Sequence, residues 1–368
     1  MMKKNVNPNS WSELPLDLLN MVLRRLGFAD FQRAKSACSS WLSASKQSVP
    51  KDNHTPWLIL FPDDNNSCCT FFNPEEKESV YKTQDTGLDF AKSVCKATYG
   101  NWLLMQDIYY NLHILNLFTK ERIILPCMES QLGMTKEKRT KPKSRIVSSL
   151  FWIDEKTKDY VVLCSVDSLR VVYSKKVNNS WNQIPETSLC LDMVYKDHKF
   201  YFLNYCGYFS IFDFYGEIPQ QTFQRELEVE SIYSRRISSR LSIVASKLVA
   251  TVAGNVLMVQ KIWRSISMTW SFLVIEVYSS GNPKEHQLVN SLGNESMLFD
   301  HGITVLANET DGFIANSIYF SGCGDEKDRN DLFRFNLKTH KTQLMHKFDS
   351  SPVQFSRAQW FLPSFTHA

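Results

Sequence analysis

Residues 112–126, "LHILNLFTKERIILP", carry the pattern that decides the fold of most of this chain. Two short apolar runs stand on either side of the polar step "NLFTKE", an arrangement that is typical of two antiparallel strands joined by a tight turn. Aromatic residues make up 13% of the chain. Because aromatic and β-branched side chains favour strands, this composition predicts a body that is mainly β.

The same strand–turn–strand unit recurs along the body, usually beside a second strand pair such as "NWLLMQDIYYN" (101–111). Two adjacent pairs make a unit of four short antiparallel strands. Each unit has an apolar anchor in its recurring stretch, and the anchors stand 39 to 63 residues apart. The anchors are Phe72, Leu115, Tyr173, Phe212, Ile275 and Phe335.

This spacing predicts a β-propeller of about six or seven four-stranded blades. A propeller blade takes about 40–50 residues, and the longer intervals contain insertions at 130–146 and 216–247. A ring of blades leaves only short, protected strand edges, which suits a long series of short strands. A pair of β-sandwiches is the alternative architecture.

Two apolar stretches at the ends of the body lie outside any complete four-strand unit. They are "PWLILF" (56–61) and "AQWFLP" (358–363), and each contains a tryptophan. An open ring would expose two strand edges. We therefore predict that these stretches meet in the same blade or in neighbouring blades and close the ring.

Composition and charge restrict the function classes. The formal net charge is +4, and residues 1–50 hold seven Lys/Arg against three acids, so the body is neutral. A neutral body disfavours a nucleic-acid partner, which needs a sustained basic face. The nine cysteines include no C-x-x-C pair, which favours thiols in a reducing compartment. With no signal segment and no long apolar run, we expect a cytoplasmic or nuclear protein without a membrane partner.

The N-terminal region has a helical pattern instead. Pro15 suits the first turn of a helix, Gly27 suits its C-terminal cap, and Asp30 suits the N-cap of a second helix. Two short helices are therefore predicted. They cannot bury this many leucine side chains between themselves, so part of their apolar surface must contact either the body or a partner. The apolar stripe of the first helix comprises Leu18, Leu19, Val22, Leu23 and Leu26, and that of the second comprises Phe31, Ala34, Cys38 and Trp41.

The stretch "LPLDLLNMVLRRLGFADFQRAKSACSSW" (14–41) resembles an F-box, the segment by which substrate receptors dock on the Skp adaptor of cullin-based ubiquitin ligases. The resemblance implies an F-box over residues 10–50, with a Skp-type adaptor and, through it, cullin as partners. The residues implied to contact the adaptor are Leu14, Pro15, Leu18, Leu19, Val22, Leu23, Leu26, Phe31, Cys38 and Trp41.

The body resembles the plant F-box-associated family that carries a kelch-like propeller "domain of unknown function". Three stretches carry this resemblance: residues 95–126, "KDYVVLC" (158–164), and 315–363 with "ANSIYFSGCGDEKDRNDLFRFNLKT". It implies a propeller over residues 57–363 that binds a protein target, and it implies no reaction.

A search for chemistry finds no catalytic, cofactor-binding or metal-binding motif. The histidines have neither H-E-x-x-H nor zinc-type Cys/His spacing, and no nucleophile elbow or phosphate loop occurs. His113 is read as a strand residue, and Asp107, Asp192 and Asp213 as strand-end or turn residues. The basic stretch "KEKRTKPKSR" (136–145) is read as a solvated loop between blades, with nuclear import as the alternative.

Together these patterns predict a non-catalytic substrate-recognition subunit of an SCF-type (Skp–cullin–F-box) E3 ubiquitin ligase. The F-box would dock the adaptor, and the propeller would hold a protein for ubiquitination. The alternative is a propeller enzyme or carbohydrate-binding module whose N-terminal helices form only a structural cap.

Overall fold

A computed structural model of the chain describes residues 11–26, 28–48, 57–62, 69–73, 80–82, 93–128, 146–227, 236–238, 241–279, 287–307, 313–322, 331–347 and 355–361. The basic stretch 136–145 lies outside these residues. The chain separates into two units, one formed by Met1–Thr55 with Leu362–Ala368 and the other by Pro56–Phe361. None of the helices in the described ranges is long and apolar enough to cross a membrane.

The first unit is helical in its described part. It contains a 3-10 turn, η1 (Trp11–Glu13), and three α-helices: α1 (Leu16–Leu23), α2 (Phe28–Lys35) and α3 (Ser39–Ser45). Helix α3 packs against both α1 and α2. Leu19, Leu23, Phe31 and Ala44 are buried, so these side chains form the apolar core that holds the three helices together.

The prediction of two helices is wrong, because the second predicted helix is divided. The amides of Ser36 and Ala37 donate to carbonyl oxygens three residues back, which tightens and ends α2. The Ser36 hydroxyl also donates to the Gln32 carbonyl oxygen (3.2 Å), a local bond that competes with helix continuation. Cys38 then adopts an extended conformation (φ −164°) and begins α3.

Asp30 does not cap the second helix as predicted. Helix α2 begins at Phe28, so Asp30 lies in its first turn. There its carboxylate accepts a hydrogen bond from Arg33 Nη1 (2.8 Å) and faces the positive end of the helix dipole. Gly27, predicted as the C-terminal cap of the first helix, lies outside the described residues.

In its described part, the second unit is built from strands and one 3-10 turn, η2 (Phe299–His301). The strands are β1 (Trp57–Pro62), β2 (Thr70–Phe72), β3 (Val80–Lys82), β4 (Val94–Tyr99), β5 (Trp102–Gln106), β6 (Leu112–Asn116), β7 (Arg122–Ile124), β8 (Ile146–Ile153), β9 (Tyr160–Val166), β10 (Arg170–Lys175), β11 (Trp181–Ile184), β12 (Cys190–Lys196), β13 (Lys199–Asn204), β14 (Tyr208–Asp213), β15 (Gln220–Glu226), β16 (Arg236–Ser238), β17 (Leu241–Ala250), β18 (Val256–Arg264), β19 (Thr269–Tyr278), β20 (Gln287–Leu288), β21 (Glu295–Leu298), β22 (Ile303–Leu306), β23 (Ser317–Ser321), β24 (Leu332–Asn336), β25 (Lys341–His346) and β26 (Phe355–Phe361).

These strands form six blades within the described residues. From the inner strand outward, blade 1 is β26-β1-β2-β3, blade 2 is β4 to β7, blade 3 is β8 to β11 and blade 4 is β12 to β15. Blades 5 (β17 to β20) and 6 (β21 to β25) join into one sheet because β22 pairs with β17. Each of the six predicted anchors lies in the strand next to the outermost strand of its blade, which confirms the predicted repeat.

Blade 6 departs from the regular pattern at its inner end. Its first two strands, β21 and β22, form an antiparallel hairpin. Strand β21 then runs parallel to β23, whereas neighbouring strands within the other blades are antiparallel. A single residue pair, Ala250 with Ile303, joins β17 to β22. The hairpin therefore continues the inner side of the ring from blade 5 to blade 6.

The ring closes as predicted, through the two ends of the body. Strand β1 pairs with β26, with Leu58 opposite Trp360. The inner strands β26, β4, β8, β12 and β17 contact one another in succession, and η2 contacts both β17 and β26. The Thr98 hydroxyl also donates to the Trp360 carbonyl oxygen (2.5 Å) and ties blade 2 to blade 1. The propeller is thus favoured over the sandwich alternative.

Buried apolar clusters fill the spaces between neighbouring blades. In β9, Val162 packs in the cluster between blades 2 and 3, and the next residue, Leu163, packs in the cluster between blades 3 and 4. Similar clusters separate blades 4 and 5, blades 5 and 6, and blades 6 and 1. Because both faces of a blade are covered, its middle strands are short all-apolar runs rather than alternating ones.

Candidate functional site

The polar residues of the propeller noted in the sequence have structural partners. His113 is buried in β6, with Arg122 Nη2 3.3 Å from its Nδ1. Asp107 accepts hydrogen bonds from the backbone amides of Tyr109 and Asn111 (2.8 Å each). Burial alone would raise the pKa of Asp107, but these hydrogen bonds outweigh it and lower the pKa. The carboxylate therefore closes the β5–β6 turn.

Asp192 and Lys247 form an ion pair between the inner strands of blades 4 and 5. Their Oδ1 and Nζ atoms are 3.4 Å apart, and the Leu248 amide donates to Asp192 Oδ2 (2.7 Å). Burial raises the pKa of Asp192, against the opposing effect of Lys247. These contacts join two blades. Among the described residues, no group of three or more His, Cys, Asp or Glu side chains could hold a metal ion.

The first unit contains the residues predicted to contact an adaptor, and they differ widely in exposure. Leu19, Leu23 and Phe31 are buried and belong to the core of the three helices. Leu18 is 47% exposed. Pro15 is also exposed, and the half-buried remainder are Leu14, Val22, Leu26, Cys38 and Trp41.

Several large apolar side chains of this unit face solvent. Besides Leu18, Trp11 is 70% and Met21 is 55% exposed, and Leu18 and Met21 are neighbours at i and i+3 on α1. We call the five members the exposed apolar set: Trp11, Leu16, Leu18, Met21 and Leu42. Sequence reasoning found only Leu18, because it followed a single stripe. The available signal was that six of the eight residues of α1 are apolar, more than one stripe requires.

Two hydrogen bonds fix the elements that carry the exposed apolar set. The Trp41 indole N–H on α3 donates to the Trp11 carbonyl oxygen (3.1 Å), which holds η1 beside α3. The Ser48 hydroxyl donates to Asn20 Oδ1 and ties α1 to the segment after α3. The exposed side chains therefore project from elements that are already fixed, so binding a partner would order these side chains but would not have to order the elements that carry them.

Comparison with known proteins agrees with this division of the chain. The family model "F-box domain" matches residues 11–53, and the model "KIB1-4 beta-propeller" matches residues 71–341. Among solved structures, the N-terminal domain of Nup159 aligns with a TM-score of 0.35 and 7% identity, over 81% of this chain and 84% of that one.

Relatives from Arabidopsis thaliana match over nearly their whole length. "Putative F-box protein At4g22180" is 54% identical, with 97% of this chain and 94% of the relative covered. "Putative F-box protein At4g22170" is 54% identical over 99% of each chain. "F-box protein At1g69090" is 41% identical, with 98% and 93% covered. The chain therefore belongs to the family of plant F-box proteins in which an F-box domain is followed by a KIB1-4 β-propeller.

Proposed function

We propose that this chain is the substrate-recognition subunit of an SCF-type E3 ubiquitin ligase. In this proposal the first unit docks a Skp-type adaptor, and through it cullin, while the propeller holds a protein target. The chain is then a non-catalytic receptor. It contributes proximity, because a held target presents its lysines to the ubiquitin-loaded partner at high effective concentration.

The exposed apolar set is the observation that carries the proposal. Five large apolar side chains exposed on so small a unit indicate an interaction surface. Each buried square ångström of apolar surface stabilises a complex by about 25 cal/mol, and Trp11, Leu18 and Met21 offer large side chains that are about half or more exposed. Arg24 and Arg25 follow α1 and are exposed, so positive charge adjoins the end of this helix.

The substitution Leu18→Arg in the full-length protein tests this docking. An unpaired charge in an apolar interface costs several kcal/mol, so we expect affinity for a recombinant Skp adaptor, measured by calorimetry, to fall about 100-fold or more. Because Leu18 is half exposed, the Tm should stay unchanged. Leu23→Arg is unsuitable for this purpose, since Leu23 is 0% exposed and its replacement would unfold the helices.

Ile124→Arg is the matched control, because Ile124 is 75% exposed on β7 of the propeller. This variant should bind the adaptor as the wild type does. Full adaptor affinity in Leu18→Arg, or none in the wild type, would reject docking through this surface.

We also propose the cytoplasm or nucleus as the place of action. Cys38, Cys164 and Cys190 are free thiols, which suits a reducing compartment. A fluorescent fusion expressed from the native promoter should then lie in one or both compartments. A fusion retained in the secretory pathway would contradict the proposal.

A further inference from the structure

Five aromatic side chains gather at one edge of blades 2, 3 and 4. Tyr99 ends β4, Trp152 lies near the end of β8, and Tyr195 lies near the end of β12. These three inner strands are neighbours, because β8 contacts both β4 and β12. We call Tyr99, Trp152, Tyr195, His198 and Tyr215 the aromatic cluster.

The rings of the aromatic cluster contact one another around His198, which lies in the turn between β12 and β13. The ring centroids of His198 and Trp152 are 5.0 Å apart at 64°, and those of His198 and Tyr215 are 5.2 Å apart at 65°. His198 Nδ1 lies 3.5 Å from the Tyr195 hydroxyl oxygen. Edge-to-face contacts of this kind hold the rings in fixed orientations.

The aromatic cluster is open to solvent. Tyr215 is 84% and Tyr99 is 39% exposed, and Trp152, Tyr195 and His198 are half-buried. Aromatic rings that only pack one blade against the next are covered. Phe200 and Phe202, for example, are buried between blades 3 and 4. Parts of the aromatic rings are therefore accessible to solvent on this side of the propeller.

Carboxylates surround these rings. Asp154 and Glu155 lie in the β8–β9 turn, and Asp197 lies in the β12–β13 turn beside His198. Burial first, and then the negative charges of these three residues, raise the pKa of Tyr99. Burial, Tyr99 and the charge of Asp213 raise the pKa of Tyr195. The acidic side chains thus make the potential at the rings negative.

Two of the lysine side chains near these turns are directed to other partners. Lys158 pairs with Glu121 (3.3 Å), and Lys196 Nζ donates to the carbonyl oxygens of Thr251 and Val252. Lys156 lies in the β8–β9 turn and Lys199 begins β13, so these two ammonium groups offset part of the acidic charge. Within the described part of the chain, the carboxylates of Glu155 and Asp197 make no hydrogen bond or ion pair, so they are available to a ligand.

We infer that the aromatic cluster and the adjacent carboxylates bind an arginine side chain of a protein segment held by the propeller. A guanidinium group stacks on aromatic faces and is weakly hydrated, whereas a lysine ammonium group is a strongly hydrated point charge. Its planar set of N–H donors can also reach the carboxylates of Glu155 and Asp197. The biological role of this site, though not the binding itself, rests on the proposed function.

The test uses the full-length protein and three synthetic peptides of glycine and serine that differ only in a central residue: arginine, glutamine or trimethyllysine. Saturation-transfer NMR reports which peptide protons contact the protein. We expect saturation of the arginine side-chain protons and at least fivefold less for the glutamine peptide. Equal saturation of these two, or saturation of the trimethyllysine peptide alone, would overturn the assignment.

Two substitutions locate the binding. Tyr215→Ala removes an exposed ring, and Asp197→Asn removes one charge at a position with φ 50°, a conformation that Asn adopts readily. Each should reduce the arginine signal at least threefold. Asp167→Asn is the matched control, because Asp167 is exposed and has φ 54° but lies in the β9–β10 turn, at the opposite edge of blade 3.

A normal arginine signal in both Tyr215→Ala and Asp197→Asn would show that the site lies elsewhere. Adaptor affinity measured on the same variants separates the two proposals. If the wild-type protein binds the adaptor but not the arginine peptide, only the present inference is rejected. If it binds the arginine peptide but not the adaptor, only adaptor docking is rejected.

Discussion

Three lysine side chains of the propeller donate to backbone carbonyl oxygens of the next blade. Lys261 of blade 5 is 1% exposed, its Nζ donates to the Ser321 carbonyl oxygen of blade 6 (2.8 Å), and it lies over the rings of Trp270 and Phe320 (4.3 and 4.6 Å). A bond from a charged donor is stronger than one between neutral groups. The other two are Lys175, which donates to Phe214 and Gly216, and Lys196, which donates to Thr251 and Val252.

The substitution Lys261→Ala should destabilise the propeller more than Lys261→Met. Alanine leaves a cavity as well as an unpaired carbonyl group, which together cost about 3–4 kcal/mol. Methionine keeps the volume and loses the hydrogen bond and the cation–π contacts, at a cost of about 1–2 kcal/mol. Urea unfolding would measure the free energy of unfolding of both variants. Equal decreases would contradict the argument that the ammonium group and the side-chain volume contribute separately.

His301 should make stability depend on pH. Burial, and secondarily the charge of Lys247, lower its pKa from 6.5 to about 4. The imidazole therefore binds a proton more weakly in the folded protein than in the unfolded chain. Stability should therefore fall as the pH decreases from about 6.5 to about 4, by up to about 3 kcal/mol. The raised pKa of Asp192 acts in the opposite direction at acid pH.

The variant His301→Gln separates the two groups, because Asp192 is present in both proteins and its contribution cancels in the difference. The fall in stability over this pH range should be smaller in the variant than in the wild type. Parallel pH profiles would show that His301 is not the titrating group.

At the scale of the elements, helix α3 begins without a side-chain cap. Cys38 occupies the N-cap position in an extended conformation and makes no capping hydrogen bond. Aspartate accepts a hydrogen bond from the second or third amide of a helix. Cys38→Asp should therefore stabilise the first turn of α3 by about 0.5–1 kcal/mol.

Amide hydrogen exchange in the full-length protein measures this effect. The amides of Ser40 and Trp41 should exchange about two to five times more slowly in Cys38→Asp, the fold-change that corresponds to the expected free energy. Cys38→Ala is the control and should give no slowing. Unchanged exchange in both variants would mean that the carboxylate does not reach these amides.

The elements also show which features a sequence can reveal. All six anchors were found, because both faces of each blade are buried and each anchor stands in a strand that contains buried apolar residues. The break between α2 and α3 was missed, because "KSACSS" (35–40) contains neither Gly nor Pro and the break depends on local hydrogen bonds. The aromatic cluster was also missed, since Tyr99, Trp152 and Tyr195 come together only when three blades pack side by side.

At the scale of the whole molecule, the ring depends on its last strand. Trp360 and Phe361 of β26 are 2% and 1% exposed, and Thr98 of blade 2 donates to the Trp360 carbonyl oxygen. Loss of two buried aromatic side chains, at about 3–5 kcal/mol each, equals much of the stability of a typical domain. Truncation after Arg357 should therefore unfold the propeller rather than loosen one end.

Thermal unfolding and limited proteolysis would compare the Tm and the protease resistance of this truncated protein with those of the full-length protein. Truncation after Phe361 is the control, because it keeps the whole of β26 (Phe355–Phe361), and it should leave the propeller's Tm unchanged. An unaltered Tm in the shorter protein would show that the ring does not need β26.

The pairing of β1 with β26 also determines the order in which parts of the protein can fold during translation. Trp57 and its partner Phe361 are 304 residues apart, so β1 leaves the ribosome roughly 15–60 s before β26 is made, at about 5–20 residues per second. Throughout this interval the F-box helices are complete, while blade 1 lacks its inner strand. The helices of the nascent chain are therefore complete before the ring of blades can close. Blade 1 is the last to be completed, and until then β1 has an unpaired strand edge.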